Sequence, residues 1–597
     1  MVKEMVSLRI DFQDVTVEKG TSILDACLQV GIRVPTLCHL DEVSSHGSCG
    51  ICVVEVKNSR RLVRSCTSPA LQGMEIFTNT ARVLASRKLN LELLLANHPL
   101  ECLTCERNLN CELQSLAQQL GVRESRFQRT KRALLPLDYS SSSLVRDPNK
   151  CILCNRCVEV CAQVQGVHAI DIIGRGLRSK VSTFMDKGLC SSVCTNCGQC
   201  ALVCPTGAIT ERSHIEEVFS DIANPNLTTI VQTAPAIRVG IGEAMGMPWG
   251  ALVTGQMVAG LRRLGFSKVF DTQFAADLTI MEEGHELISR IQKKGVLPMI
   301  TSCSPGWIKY IEHFYPEQLD HLSTCKSPQQ MFGAIAKTYY AQQAGLDPRN
   351  VRVVSIMPCT AKKFEAGRSE MDGAFEFWKE EMALSEGERF ADVDYALTTR
   401  ELASMFKRVG IQFVSLPEEE FDSPLGMSTG AAVIFGATGG VMEAALRTAY
   451  EVLTKKSLPS IDFTDLRGMD GIKEATVDIN GTALRVAVAN TLGNARTLME
   501  QIQEGTSPYA FIEVMACPGG CLGGGGQPIP TNEEIRKKRA ASIYQEDRNF
   551  EVRKSHENSE IQALYKDFLI EPLGEKSHHL LHTTYTKRGQ YALFDSF

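Results

Sequence analysis

Nineteen of the 22 cysteines in this 597-residue chain, with one histidine, stand in closely spaced groups. Such grouping is what metal ligation requires. One group lies in FIEVMACPGGCLGGGGQP, residues 511–528, where an apolar run delivers Cys517 and Cys521 into a string of glycines. Two soft thiolates beside backbone that can close tightly suit a bulky inorganic group. Upstream, Cys38, Cys49, Cys52 and Cys66 are spaced C-x10-C-x2-C-x13-C, with Gly47 and Gly50 letting the loop curl. Four thiolates there suit a 2Fe-2S centre, with structural zinc the competing use. His98, Cys102, Cys105 and Cys111 read H-x3-C-x2-C-x5-C. Three thiolates leave a 4Fe-4S cube one ligand short, and a neutral imidazole in the fourth place tends to raise its potential. CILCNRCVEVC and CTNCGQCALVCP both read C-x2-C-x2-C-x3-C. In two-cluster ferredoxins the last cysteine of each run ligates the other cluster. One cube therefore takes Cys151, Cys154, Cys157 and Cys204, and the other Cys194, Cys197, Cys200 and Cys161. The departures are Ala162 where proline often follows, the long insert 162–193, and an extra Cys190 beside the second run. Cys27 and Cys325 read as small buried hydrophobes.

The elements that must position these groups follow from periodicity. Alternating strands are expected at 7–12 and 14–18, a helix at 21–30 with Ser22 and Asp25 spaced as a capping box, a strand at 51–56 and a helix at 81–96. The polar stretch 139–148 reads as a linker. Beyond about residue 211 the cysteines thin out, and buried strands at 231–233, 299–301, 351–356, 396–398, 486–489 and 511–515 alternate with amphipathic helices such as 255–263 and 441–453. In a parallel α/β sheet, ligands gather beyond the carboxyl ends of strands. Cys303, Cys359, Cys517 and Cys521 all follow such ends. The expected architecture is multidomain: a β-grasp 2Fe-2S ferredoxin-like domain (1–79), a 4Fe-4S segment with three cysteines and one histidine (80–138), an α+β two-cluster 4Fe-4S ferredoxin domain (139–211), and a C-terminal α/β domain with parallel sheets (212–597).

Hydrophobic residues at 44% and charged residues at 22% are globular values, and no apolar run approaches a membrane span. A formal charge of −6 offers no nucleic-acid footprint, and the N-terminus lacks the features of an export signal. A cytoplasmic protein with neither membrane nor nucleic acid as partner is expected.

TSCSPGW (301–307), MPCTAKKFE (357–365) and EVMACPGGCLGGGG (513–526) closely resemble the three signatures of iron-only (FeFe) hydrogenases, and the resemblance covers nearly the whole chain. The first cysteine module resembles the one that begins the large iron-sulfur subunit of complex I. The resemblance implies an H-cluster, a 4Fe-4S cube joined through one cysteine to a two-iron unit carrying CO, cyanide and an amine dithiolate, which interconverts protons and hydrogen. Cys359, Cys517 and Cys521 would hold the cube, with Cys521 the bridge. Lys362 would hydrogen-bond one cyanide, and Ala234 and Pro235 would enclose the other. Met357, Met515 and Gln329 would pack against the two-iron unit. Glu283, Glu286 and Arg290, with Ser323, would form the proton channel; without the family that helix face reads as a solvated charge stripe, and Lys362 as a surface residue beside Lys363.

One departure matters. The best-studied family members carry two adjacent cysteines, a proton-relay thiol and then the fourth cube ligand, where this chain has Cys303 and Ser304. Cys303 could ligate and leave Ser304 as the relay, Ser304 could ligate, or the site could be impaired; sulfur's affinity for iron favours the first. The tail 536–591 resembles subunits of NAD(P)-coupled, electron-bifurcating hydrogenases. No G-x-G-x-x-G follows a strand. A flavoprotein NAD(P)-binding subunit, a small 2Fe-2S subunit, ferredoxin and maturation proteins are the implied partners. A stand-alone ferredoxin hydrogenase, or a non-catalytic electron-transfer or redox-sensing protein lacking the two-iron unit, are the alternatives.

Overall fold

The computed structural model describes residues 4–590 apart from residues 44, 128–133, 457, 459 and 480–481; the end of the tail motif, Tyr591, lies outside them. Near the N-terminus, β1 (Met5–Ile10), β2 (Gln13–Glu18), β3 (Val53–Val56), β4 (Val63–Arg64) and β5 (Glu75–Phe77) form one sheet in the order β2-β1-β5-β3-β4. Along β1, Val6, Leu8 and Ile10 alternate inward, as the period-2 pattern requires. They meet Cys27, fully buried on the helix Ile23–Gln29. Ser22 caps that helix by accepting from the Asp25 amide (3.1 Å), while its hydroxyl donates to the Asp25 carboxylate (2.6 Å). The following helix, Ala81–Leu95, is tied to the cysteine loop by Asn90 Nδ2, which donates to Gly50 O (2.8 Å), and by Arg87 Nη2, which donates to Val53 O (2.9 Å).

The stretch 139–148 is not a linker. Leu144–Arg146 (β6) pairs antiparallel with Ile209–Glu211, Ser141 and Ser143 are buried, and Asn196 Nδ2 donates to Ser143 Oγ (3.0 Å). Its serines are hydrogen-bonding partners for the second cysteine run, a use that polar composition alone does not distinguish from a solvated tether. The insert 162–193 carries the hairpin of β7 (Asp171–Ile173) and β8 (Lys180–Ser182). The internal repeat extends to the backbone: Leu153 and Asn196 (φ 55° and 60°), and Asn155 and Gly198 (φ 69° and 72°), adopt left-handed conformations at equivalent places in the two runs. With Ile209–Glu211 counted as β9, the C-terminal domain contains two four-stranded sheets. The first is wholly parallel, ordered Lys268–Asp271 (β11), Thr228–Thr233 (β10), Val351–Met357 (β13), Tyr395–Thr398 (β14). The second is ordered Met299–Ile300 (β12), Phe511–Met515 (β17), Thr482–Asn490 (β16), Ile472–Ile479 (β15). In it β15 pairs antiparallel with β16, the one departure from the expected parallel order within these two sheets. β10, β13 and β17 are buried almost throughout, as strands covered on both faces must be. Among the described residues no helix is long and apolar enough to cross a membrane.

The ferredoxin-type domain is seated on the C-terminal domain by polar bonds around its second cysteine run. Thr360 Oγ1 donates to Asn196 O (2.7 Å), Lys309 Nζ to Asn196 Oδ1 (3.0 Å), Gln199 Nε2 to Gly523 O (2.8 Å), and Arg400 pairs with Glu211 (2.8 Å). Glycine allows this approach: a methyl at Gly525 would sit 2.2 Å from Cys197 O and 2.7 Å from Gly198 Cα, both backbone atoms. Gly525→Ala is therefore expected to cost about 3 kcal/mol. Thermal unfolding together with iron content would register the separation of the two cysteine loops as lost cluster loading.

Candidate metal centre

β13 and β17, in different sheets, both end at one cavity with their cysteines past the carboxyl ends. Between these ends and the loop after β12 lies a cavity of about 90 Å³ whose walls include Cys303, Ser304, Cys359, Cys517 and Cys521. Ala234, Pro235, Gln329, Met357, Lys362 and Met515 line it as well, so the structure gathers at one place residues spread over nearly 300 positions of sequence. The remaining wall is largely apolar. Phe435 and Ala276 belong to it without any sequence signal that would have found them.

The thiols divide into a trio and a neighbour. Of the charged groups around Cys517 and Cys521, Cys359 bears most strongly on both, whereas Glu283 bears most strongly on Cys303. Burial pushes the Cys521 thiol up to about 12, and Cys359 and Cys517 upward too. Bare thiols here would stay protonated at neutral pH, and a bound metal is what deprotonates a coordinating thiol outright. The amides of Ala361 and Lys362 bond the Cys359 sulfur, as in iron-sulfur sites. Soft donors, dry walls and amide bonds to sulfur fit an iron-sulfur group. Ser304 is the N-cap of the helix Pro305–Phe314, yet its hydroxyl makes no capping bond. That hydroxyl is not spent on the helix, and the residue faces the cavity. Cys303 lines the same cavity, with Glu283 and Cys521 both among the charges that bear on it.

Lys362 is buried, as is Lys363, so neither is the surface residue that composition alone suggests. Lys363 pairs with Glu401 (2.9 Å) beneath β14. Lys362 Nζ donates to Cys303 O (3.1 Å) and Glu365 Oε2 (2.9 Å). Glu365 also accepts from Ser327 Oγ (2.9 Å) and Gln329 Nε2 (3.1 Å), which makes it the clamp of this corner. Its spacing of three residues from Lys362 on one helix was a signal available in the sequence.

The face carrying Glu283, Glu286 and Arg290 is not a solvated stripe. It lies on the helix Thr272–Lys293, with Glu283 fully buried and Glu286 8% exposed. Neither oxygen of Glu283 makes a hydrogen bond, and burial, with the nearby Glu286 charge, raises its carboxyl to about 8. Glu286 accepts from Ser323 Oγ (2.8 Å), from the Thr324 amide (3.1 Å) and from Arg290 Nη2 (2.6 Å). Arg290, partly exposed, also donates to Leu322 O (2.6 Å). A file of proton-bearing groups thus runs from Cys303 through Glu283, Ser323 and Glu286 toward the surface.

The other cysteine groups line cavities of their own. Cys151, Cys154, Cys157 and Cys204 share one; Cys161, Cys194, Cys197 and Cys200 share another, in the crossed pairing expected from the repeat. His98, Cys102, Cys105 and Cys111 share a third with Lys150 and Gly207. Amides donate to Cys151 (Leu153 N, 3.4 Å), Cys161 (Ala169 N, 3.4 Å) and Cys194 (Asn196 N, 3.5 Å). In the first domain the Cys52 and Cys66 sulfurs are 3.3 Å apart, and Cys38 is within hydrogen-bonding reach of Cys49 and Cys66. Cys197 lines both the second ferredoxin-type cavity and the central one, so the two share a wall. Cys325 is buried beneath Glu286, whereas Cys190 is exposed and outside every one of these groups.

Family models match the chain from end to end. The C-terminal domain of the iron-only hydrogenase large subunit matches residues 227–525, and the iron hydrogenase small subunit matches 533–588. A 2Fe-2S iron-sulfur cluster binding domain matches 3–81, the iron-sulfur binding region of NADH-ubiquinone oxidoreductase-G matches 87–126, and the ferredoxin-like domain of NADH-quinone oxidoreductase subunit 3 matches 142–210. Over 596 residues the chain is 49% identical to NADP-reducing hydrogenase subunit HndD of Solidesulfovibrio fructosivorans, covering 98% of this chain and 99% of that one. It is 39% identical over 576 residues to iron hydrogenase 1 of Clostridium pasteurianum, covering 96% and 98%. Among solved structures, an apo FeFe-hydrogenase from Chlamydomonas reinhardtii is 44% identical, covers 63% of this chain and 100% of its own, and superimposes with a TM-score of 0.56.

Proposed function

The chain belongs to the iron-only hydrogenase family, as a catalytic subunit, and from that premise we propose that it works in a cytoplasmic, NAD(P)- and ferredoxin-coupled electron-bifurcating complex. The observation that carries this reading is the succession of cysteine-lined cavities that ends at the central one through the shared Cys197 wall. In this reading residues 1–79 hold one 2Fe-2S cluster, 80–138 and 139–211 hold three accessory 4Fe-4S clusters, and 212–597 hold the H-cluster. Full-length similarity to an NADP-reducing hydrogenase subunit supports the nicotinamide coupling. In this reading flavin and NAD(P) sit on a flavoprotein partner, joined by a small 2Fe-2S subunit and ferredoxin. Maturation proteins would deliver the two-iron unit.

Cys359, Cys517 and Cys521 would hold the cube, with Ser304 or Cys303 as its fourth ligand, and Cys521 would also hold the two-iron unit. When bound, that unit supplies the metal site at which protons are reduced and hydrogen is split. The chain's own part is positioning, electrostatics and proton delivery. Lys362, fixed by Glu365, presents a cationic donor to an anionic ligand in a dry site, where such a bond is strong. Met357, Met515, Gln329, Ala234 and Pro235 shape the enclosure and exclude water. Protons arrive on Cys303 from Glu283, which burial keeps largely protonated at neutral pH. Glu283 is reloaded through Ser323 and Glu286, with Arg290 at the mouth. Electrons enter by the separate route that ends at Cys197.

Infrared spectra of protein purified without oxygen after co-expression with maturation proteins test the centre: CO and cyanide stretching bands are expected. Their absence in protein whose accessory clusters are loaded would reassign the chain to electron transfer. Hydrogen evolution from NAD(P)H with reduced ferredoxin, seen only when the flavoprotein subunit is added, tests the coupling; equal rates from reduced ferredoxin alone would mark a stand-alone enzyme.

A further inference from the structure

The helix Pro305–Phe314, which Ser304 opens at the central cavity, presents Lys309 to the ferredoxin-type domain. Lys309 is 6% exposed; its Nζ donates to Asn196 Oδ1 (3.0 Å) and stands 4.5 Å from the centroid of the Phe364 ring. Asn196 sits inside the second cysteine run, and its own amide donates to Cys194 Sγ (3.5 Å). Its carbonyl accepts from Thr360 Oγ1 (2.7 Å) and its Nδ2 donates to Ser143 Oγ (3.0 Å), so the oxygen offered to Lys309 is fixed in place. What the ammonium lacks is a carboxylate. Among the described residues Glu312, one turn along the same helix, is the one carboxylate that bears on it, and Glu312 is held by Arg368 Nη2 and Arg588 Nε (2.6 Å each). Both guanidiniums also stand by the Phe364 ring, 5.8 Å and 5.4 Å from its centroid. Three cations thus converge on one ring, with Glu312 and the Glu370 partner of Arg368 (2.5 Å) as the carboxylates of the group. A buried charge is costly unless an anion answers it, and a cation–π contact offsets only part of that cost.

We propose that Lys309 is the counter-charge of the iron-sulfur cluster held by Cys161, Cys194, Cys197 and Cys200, where it stabilises the reduced form and raises the potential of the last accessory centre before the central site. This assignment presupposes that residues 139–211 hold two 4Fe-4S clusters. Burial pushes the Lys309 ammonium down, and Cys194 is the charge that most opposes that push. A cube held by four thiolates is anionic, and an added electron makes it more so. A fixed cation beside it favours the electron's arrival, and net charge is one of the levers that set such a potential. The other cube is answered by different cations, Arg156 bearing on Cys154 and Arg107 donating to Cys204 O (3.1 Å). Because Cys197 lines the central cavity as well, the charge of Lys309 acts at the step that hands electrons to that cavity.

The alternative is a buried lysine that only fastens one domain to the other, and a redox titration separates the two. Electron paramagnetic resonance at controlled potential, on full-length protein purified without oxygen, reads the clusters without reference to hydrogen turnover. In Lys309→Met one reduction wave is expected to move downward by about tenfold in its reduced-to-oxidised ratio, ~59 mV for a one-electron couple, while the remaining waves stay. The wave that moves should be the one missing from Cys200→Ala. Lys309→Arg, which keeps the charge, is expected to hold the native value. No moving wave in Lys309→Met, movement of a wave that survives in Cys200→Ala, or an equal shift in Lys309→Arg overturns the proposal. Should Lys309→Met fail to load iron, Lys309→Gln, which can still donate to Asn196 and lacks only the charge, decides by the same logic. Failure of the two-cluster reading would show separately, as missing iron and missing signals in the unmutated protein.

Discussion

Cys303→Ala is expected to keep a complete four-iron cube while lowering hydrogen turnover by roughly a thousandfold, the middle of the range for losing a positioned proton donor. Ser304→Ala is expected to lose the cube itself. Sequence considerations alone favour the reverse assignment, since sulfur binds iron better than oxygen does. What favours oxygen ligation here is that Glu283 is the charge bearing most on Cys303, while Cys359 is the charge bearing most on Cys517 and Cys521. Ser304 opens its helix without capping it, which leaves the hydroxyl for the cavity. A serine hydroxyl must give up its proton to ligate, and the bound metal is what lowers that barrier. Iron and sulfide content with electron paramagnetic resonance, on protein made without maturation factors, reads the cube independently of activity. Loss of its signal in Cys303→Ala, with retention in Ser304→Ala, would restore Cys303 as the ligand.

Glu283→Gln carries the second large effect: a fall of about a thousandfold in proton reduction with all clusters loaded. Both oxygens of Glu283 are buried without a hydrogen bond, between Cys303 and the Ser323–Glu286 pair. Glutamine fills the same space but cannot relay an acid proton. The substitution has a second readout that no loss of catalysis can mimic. Burial raises this carboxyl from its ordinary 4.5 to about 8, so the fold prefers the neutral form. Its contribution to stability is fully present below pH 4.5 and is lost as pH rises through about 8. Native protein should therefore lose stability over that window, and Glu283→Gln, neutral throughout, should lose less. Melting temperatures of both proteins across pH 4.5 to 8 measure the difference. Identical slopes would mean that Glu283 is ionised in the fold.

The cysteine spacings and strand patterns made most of the organisation legible. Most of a ferredoxin-type cube's ligands come from one C-x2-C-x2-C run, and the repeat of that run at 151–161 and 194–204 announced the two sites and their crossed fourth ligands. Buried strands such as Phe511–Met515 were equally plain, since an unbroken apolar run bounded by glycine and proline leaves few alternatives. The reading faltered where a polar residue's meaning depended on distant partners. Serines 140–143 looked like a tether, yet Ser141 and Ser143 accept from Asn196 in the second cysteine run. Glu283 and Glu286 looked like a solvated stripe because nothing local announces that 302, 323 and 582 will close over them.

The sequence by itself determined which residues carry chemistry, their grouping into clusters and the order of those groups along the chain, because ligand type and spacing are constraints of short range. Tertiary structure alone decided which groups meet: Cys303 and Ser304 in one cavity wall with Cys359, Cys517 and Cys521, Cys197 in the wall between two cavities, and Glu286 against Ser323. The physical reason is that orientation and burial are fixed by contacts between segments tens to hundreds of residues apart. Burial, more than residue type, sets whether a carboxylate or lysine is solvated decoration or part of a proton path.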